Sequence, residues 1–368
     1  MTQSFEEDCA DLIGIEEKKG MSRRDLLKFA ASIGIPMALV PGMTRKALAA
    51  DAKEVVLCNW GGVALEVFEK AFAEPYEAKG GRMVIDGSGP GTGKILNMVM
   101  ANNVTWDIVD SGIVGLTQLG PQGALEEIDY SIVDKSKVIP EFAYDYGVVN
   151  YMFSSVLAWD SEKVDGTPTL ADFFDLEKYP GRRLLRKDAQ AMLELTLLAD
   201  GVAIEDLYPL DVERALAKLA TIKDELLFWG SGSESQSLLR EGECVMGMIW
   251  NTRANVLEKE TDGRIKYTFE GGLLQPGLWA VPKGNPAGKQ TAMEAIASMQ
   301  APEGQVMVLE AMGNGPANPA ASELVPEGLA ASNPASAENV SKQARISADW
   351  YAEHYADAMQ EYLDFITS

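Results

Sequence analysis

The chain has a single histidine, His354, and three cysteines, Cys9, Cys58 and Cys244. One imidazole excludes Ser-His-Asp and Cys-His catalysis unless His354 itself serves, and it excludes a multi-histidine metal site. The cysteines form no closely spaced pair, so a thiolate metal site is not expected either. Cys58 and Cys244 fall on expected buried strands. Free buried thiols are the ordinary outcome there, and a disulfide between them the exception. No Gly-x-Ser-x-Gly elbow occurs. Catalytic residues, metal ligands and cofactor are all expected to be absent.

Basic residues are also scarce: 32 against 55 acidic, a net charge of −23. Residues 1–49 carry seven of each sign, so the whole excess lies in the remainder. Such acidity argues against nucleic acid or an anionic membrane as partner. Hydrophobic residues make up 46% of 368, enough to build the cores of one to three soluble domains. The glycine-rich stretch Gly87–Lys94 invites a phosphate-loop reading, but the motif fails. Ser88 stands where the first glycine belongs and Ile95 where Ser or Thr belongs; the dinucleotide spacing is broken by Thr92 or by Lys94.

What is there begins at Ser22-Arg23-Arg24-Asp25-Leu26-Leu27-Lys28. A modest apolar segment, Phe29–Val40, follows, broken by Gly34 and Pro36, then Arg45-Lys46 and the small residues Ala47-Leu48-Ala49. This resembles a twin-arginine export signal over residues 1–49. The apolar segment is too short and too broken to span a membrane. An exported, soluble, periplasmic product is expected, with cleavage near residue 49.

The remainder alternates strand-like and helix-like segments, as an α/β fold does. Val55–Cys58, Met83–Ile85 and Ile108–Val109 read as buried strands, and Val148–Trp159 as one long strand crossing between lobes. Leu184–Leu185, Leu226–Trp229 and Val245–Ile249 read as further strands, the last of parallel type. Ile265–Phe269 and Leu278–Val281 read as two strands flanking Gly271-Gly272. Helices are expected over 63–76, 94–102, 169–174, 192–200, 211–222, 291–298, 302–312 and, as one piece, 337–367.

Ligands of open α/β sheets sit at the carboxyl ends of strands. Cys244–Arg253 delivers Trp250, Asn251 and Arg253 at such an end: an indole, an amide and a guanidinium. Trp60 and Gly61 follow the first strand, where backbone N–H groups favour an anion and the ring favours a cation. Ser88 lies in a loop flexible enough to approach a ligand. Asp110 and Ser111 end the third strand, Asp110 serving either as partner of a ligand ammonium or as a helix N-cap. Trp229, Ser231 and Gln236 stand either as ligand contacts or as a capping segment. Trp279 faces either the cleft or the core.

Taken together, Trp60-Gly61-Gly62, Tyr179-Pro180-Gly181-Arg182-Arg183, Ala199-Asp200-Gly201, Leu207–Asp211, Trp250-Asn251-Thr252-Arg253 and Gly315-Pro316-Ala317-Asn318-Pro319 resemble, in their order, the extracellular solute-binding proteins of ABC importers. The branch is that of the spermidine/putrescine-binding proteins, and the likeness covers nearly the whole mature chain. It implies a two-lobed α/β periplasmic binding fold of type II, with a ligand cleft between lobes and crossing strands as hinge. Lobe 1 would comprise 50–152 plus 266–318, lobe 2 residues 153–265 plus 319–368. The implied role is that of a monomer that captures a small molecule and delivers it to a permease and ATPase complex. Polyamine binders carry an acid shortly after the Trp matching Trp250; here Arg253 takes that place. A fork of this kind suits a carboxylate, phosphonate or sulfonate. The expected ligand is therefore a zwitterion or anion such as an ω-amino acid, an aminoalkylphosphonate or an opine-like compound. The rivals are a polyamine held by acids such as Asp86, Asp110 or Glu234, an exported enzyme, and a signalling clamshell.

Overall fold

In the computed structural model residues 54–368 are described. The twin-arginine-like segment and Cys9 lie outside them. One mixed sheet runs through the described chain in the order β2-β1-β3-β8-β4-β7-β5-β6. At one end β1 (Glu54–Cys58) lies parallel to β2 (Arg82–Asp86) and β3 (Ile108–Ser111). All five residues of β1 are buried, as an apolar strand inside a parallel block must be. At the other end β5 (Arg183–Arg186) lies parallel to both β6 (Leu226–Trp229) and β7 (Met246–Trp250).

Two long strands join these blocks. β4 (Val148–Asp160, 13 residues) and β8 (Ile265–Ala280, 16 residues) pair antiparallel along most of their length. β8 also pairs antiparallel with β3, and β4 with β7. The two blocks and their shared crossing strands are the two-lobed arrangement the sequence resemblance implies. β7 is parallel only to β5, because its other neighbour is the crossing strand.

Two expected boundaries shift for physical reasons. Gly271-Gly272 does not separate two strands; β8 runs through it. Gly271 takes φ +70, and a β-carbon there would meet Leu170 Cδ1 at 2.7 Å. Glycine inside a strand commonly marks such a close approach or a bulge. The terminal helix is likewise not one piece. Ala337–Val340 ends where Ala344-Arg345 pairs with β8, and Ser347 caps a fresh helix at Ala348–Thr367. Residues 169–174 give only a 3-10 turn, Ala171–Phe174.

The helices that reach the site are α1 (Ala64–Phe68), α2 (Thr92–Met100), α3 (Ile113–Leu119), α4 (Met192–Ala199), α5 (Val212–Ala220), α6 (Gly232–Arg240), α7 (Asn251–Glu260), α8 (Lys289–Met299), α9 (Pro302–Met312) and α10 (Ala348–Thr367), or else pack behind those that do. α1 continues through a π-helical stretch, Glu69–Ala73, that turns Phe68 and Phe72 onto the β8 side chain Trp279. Cys58 and Cys244 are both buried and unbonded. Among the described residues no helix is long and apolar enough to cross a membrane, and no cluster of His, Cys, Asp and Glu is arranged to hold a metal.

Candidate functional site

The carboxyl ends of β1, β3, β5 and β7 converge on a cavity of about 320 Å³, within the size range of small-molecule sites. Trp250, the last residue of β7, sits at its centre. Its ring lies 5.0 Å from Trp229, 6.1 Å from Trp60 and 6.4 Å from Phe153, none of them stacked face to face. Trp229 supports this group from behind: it is 1% exposed, and its Nε1 donates to Met248 O. Trp60 forms the rim.

Arg253 projects from the first turn of α7 into the same cavity. It is 3% exposed. Its Nη2 donates to Gly61 O at 3.5 Å, a long bond, and its Nε has no partner. Among the described residues no carboxylate forms an ion pair with it. Burial pulls its pKa down, while Tyr151 and Asp110 push it up.

Asp110, 2% exposed, faces the cavity from the end of β3. It accepts hydrogen bonds from Tyr151 Oη at 2.7 and 2.9 Å. Loss of water raises its pKa to about 7, against the lowering effects of the Tyr151 hydroxyl and of Arg253. Asn314, just beyond α9, adds an Oδ1 with no partner. Ser111 contributes to the wall beside Asp110.

Of the residues singled out in the sequence, the fold therefore brings Trp60, Asp110, Ser111, Trp250 and Arg253 onto one cavity. It places the others elsewhere. Gly61 shapes the turn under Arg253, with φ +70 and its N–H donating to Asn59 Oδ1. The Ser88 N–H donates to Asp86 Oδ1, and its carbonyl accepts from Lys94 Nζ. Ser231 is the N-cap of α6, and Gln236 is buried within that helix. Asn251 ties β4 to the end of α9, accepting from Ser154 N and donating to Gly313 O, both at 2.7 Å. Trp279 is core, edge-on to Phe68 and Phe72. The acids named for a polyamine are engaged too: Asp86 accepts from Trp106 Nε1, and Glu234 accepts from Gly230 N.

Sequence reasoning missed Arg186, Asp188, Gln190, Tyr151 and Tyr355. Arg186 ends β5, so the strand-end rule that found Trp250 applied to it equally. Tyr151 lies inside a long apolar strand and Tyr355 on a distant helix, where no local signal distinguishes them.

A two-lobed α/β fold with a charged and aromatic cavity at the strand ends defines a solute-capture protein. The chain belongs to the bacterial extracellular solute-binding proteins, whose family model matches residues 70–338. These are the substrate-binding components of ABC importers, working with a membrane permease and ATPase. The chain is similar to the gamma-aminobutyric acid-binding protein of Pseudomonas aeruginosa, 31% identical over 321 residues, which is 85% of this chain and 91% of that protein. It is similar to a binding protein of A. tumefaciens R10 solved in complex with agropinic acid: 32% identity, TM-score 0.80, covering 86% of this chain and 99% of that one. Similarity to the spermidine/putrescine-binding periplasmic protein of Escherichia coli is more distant, 24% over 231 residues, or 60% of this chain and 66% of that protein.

Proposed function

We propose that this protein captures a small zwitterion or anion, an ω-amino acid, aminoalkylphosphonate or opine-like compound, and delivers it unchanged to its permease. The observation that carries the reading is Arg253: a buried guanidinium on the cavity wall with no carboxylate partner among the described residues. A buried cation without a counter-ion costs several kcal/mol. A ligand carboxylate or phosphonate offsets that cost by binding the fork in a bidentate, charge-assisted way. Asp110 and the Asn314 oxygen then accept from the ligand ammonium, and Trp60 and Trp250 cover its body.

The relatives named for gamma-aminobutyric acid and agropinic acid support this choice over a polyamine. So do the engagements of Asp86 and Glu234, which leave Asp110 and Asp188 as the carboxylates on the cavity. Calorimetric titration with 4-aminobutyrate, aminoalkylphosphonates, glutarate and spermidine is the test. Binding of an acid-bearing compound is expected; tight spermidine binding with none of the acids retained would overturn the reading.

We further infer that the protein acts as a monomer without enzymatic activity. Lobe 1 comprises residues 50–152 plus 266–318 and lobe 2 residues 153–265 plus 319–368, with the crossing strands as hinge. The protein reaches the periplasm by the twin-arginine route, a reading supported by Arg23-Arg24 and the weakly apolar segment behind them.

A further inference from the structure

A second guanidinium faces the cavity, held by a long ion pair and by two indole rings. Arg186 ends β5 and lies over two indoles, 5.1 Å from the Trp250 centroid and 5.8 Å from that of Trp229. The rings hold its plane in place. Its only ion pair among the described residues is to Asp188, at 3.5 Å, which is longer than a normal charge-assisted hydrogen bond. Asp188 also accepts from Tyr355 Oη at 3.3 Å. No side-chain N–H of Arg186 donates a hydrogen bond to the described residues; only its backbone N–H and carbonyl are engaged.

The cavity thus carries two guanidinium forks. Between them they make one long hydrogen bond, that of Arg253 to Gly61. They rise from different strand ends, Arg186 from β5 and Arg253 just past β7, with Trp250 against Arg186. Facing them are two carboxylates. Asp188 pairs with Arg186 at 3.5 Å, and Asp110 is taken up by the Tyr151 hydroxyl. A monocarboxylate with one ammonium engages Arg253 and leaves Arg186 with only its long pairing to Asp188.

We propose that the ligand carries two anionic groups as well as its amine, one for Arg253 and one for Arg186, and that Arg186 selects such diacids over ω-amino monoacids. This rests on the proposed function, since it takes the same cavity as the ligand site. Arg186 would displace part of its pairing to Asp188 on binding, and Tyr355 would keep Asp188 satisfied.

The experiment compares 4-aminobutyrate with a length series of amino diacids: aspartate, glutamate, 2-aminoadipate and 2-aminopimelate. Titration calorimetry is run on the wild type, Arg186→Met and Arg186→Lys, with circular dichroism to verify the fold. At least one diacid is expected to bind the wild type about tenfold or more tightly than 4-aminobutyrate, the scale of one charge-assisted bond. Arg186→Met should narrow that margin by weakening the diacids more than 4-aminobutyrate, and Arg186→Lys should restore part of it. The proposal is overturned if no diacid outranks the monoacid on the wild type, or if Arg186→Met weakens both classes equally. A wild type on which no diacid outranks the monoacid overturns the proposal even if Arg186→Met fails to fold, and Arg186→Lys then stands in for it where a diacid does outrank the monoacid. If neither class binds, the selection by Arg186 falls and the aminoalkylphosphonate and spermidine titrations decide the proposed function; if only the monoacid binds, that function stands and the selection by Arg186 falls.

Discussion

Arg253 and Gly232 lie so close that a β-carbon at residue 232 would overlap Arg253 Nε. On the opposite side a β-carbon at Gly62 would lie 3.1 Å from Arg253 Nη1. Two glycines, one in the turn after β1 and one at the start of α6, thus leave room for one side chain. Gly232→Ala is expected to swing the guanidinium and weaken ligand binding by about tenfold or more, the worth of a charge-assisted bond. The fold should survive, since Gly232 is helical with an ordinary φ. A thermal-shift assay with and without ligand checks both halves, and undiminished affinity would remove this clearance from the argument.

Arg253→Met should separate binding from stability. The ligand-free protein is expected to keep or raise its Tm, because the substitution replaces a desolvated, unpaired cation with an apolar side chain of similar length. Ligand affinity should fall by at least about tenfold. A large drop in ligand-free Tm would mean that the guanidinium is structural.

Asp110 makes the ligand-free protein pH-sensitive in a definite direction. Its pKa is about 7 when folded and about 3.9 when unfolded. The folded state therefore binds the extra proton between those values. The stability contributed by the neutral carboxyl is fully present below about pH 4 and is lost as pH rises through 7. Asp107, raised to about 6 by burial, adds a smaller loss of the same sign. Asp110→Asn, which still accepts from Tyr151, should flatten the fall in Tm between pH 5 and 7.5. An unchanged slope would refute the assignment. An ammonium ligand should release a proton at pH 7 as it drives Asp110 into its charged form. Calorimetry in buffers of different ionisation heat would measure that release.

Cys58 and Cys244 should be silent to thiol reagents in the native protein. Burial is the main force raising both, Cys244 to about 12 and Cys58 further, so little thiolate exists at neutral pH. Both should react in denaturant without prior reduction. A requirement for reductant would reveal a disulfide.

Arg23→Lys with Arg24→Lys should leave the protein in the cytoplasm, read by fractionation. Normal export of the double variant would exclude the twin-arginine route.

Much of the architecture was legible because burial leaves a linear trace. Val55–Cys58 of β1 and most of β4 are apolar, since both faces of each strand are covered. Trp250 and Arg253 were legible because a strand end delivers its neighbours to a predictable place. Trp279 and Trp229 were not, because an indole in the core and one in a cleft have the same local sequence. Ser231 read equally as ligand contact or cap, and the helix it begins decided the matter.

The sequence by itself determined the class of protein and the strand-end position of the indole and the fork. These follow from residue type and chain order alone. Only the tertiary structure decided which polar groups go unsatisfied. Arg253 meets Gly61, 192 residues away, yet finds no carboxylate partner among the described residues, and Arg186 meets Trp250 from the neighbouring strand. Whether a charge has a partner depends on distances in space, and those are set by the packing of elements far apart in the chain.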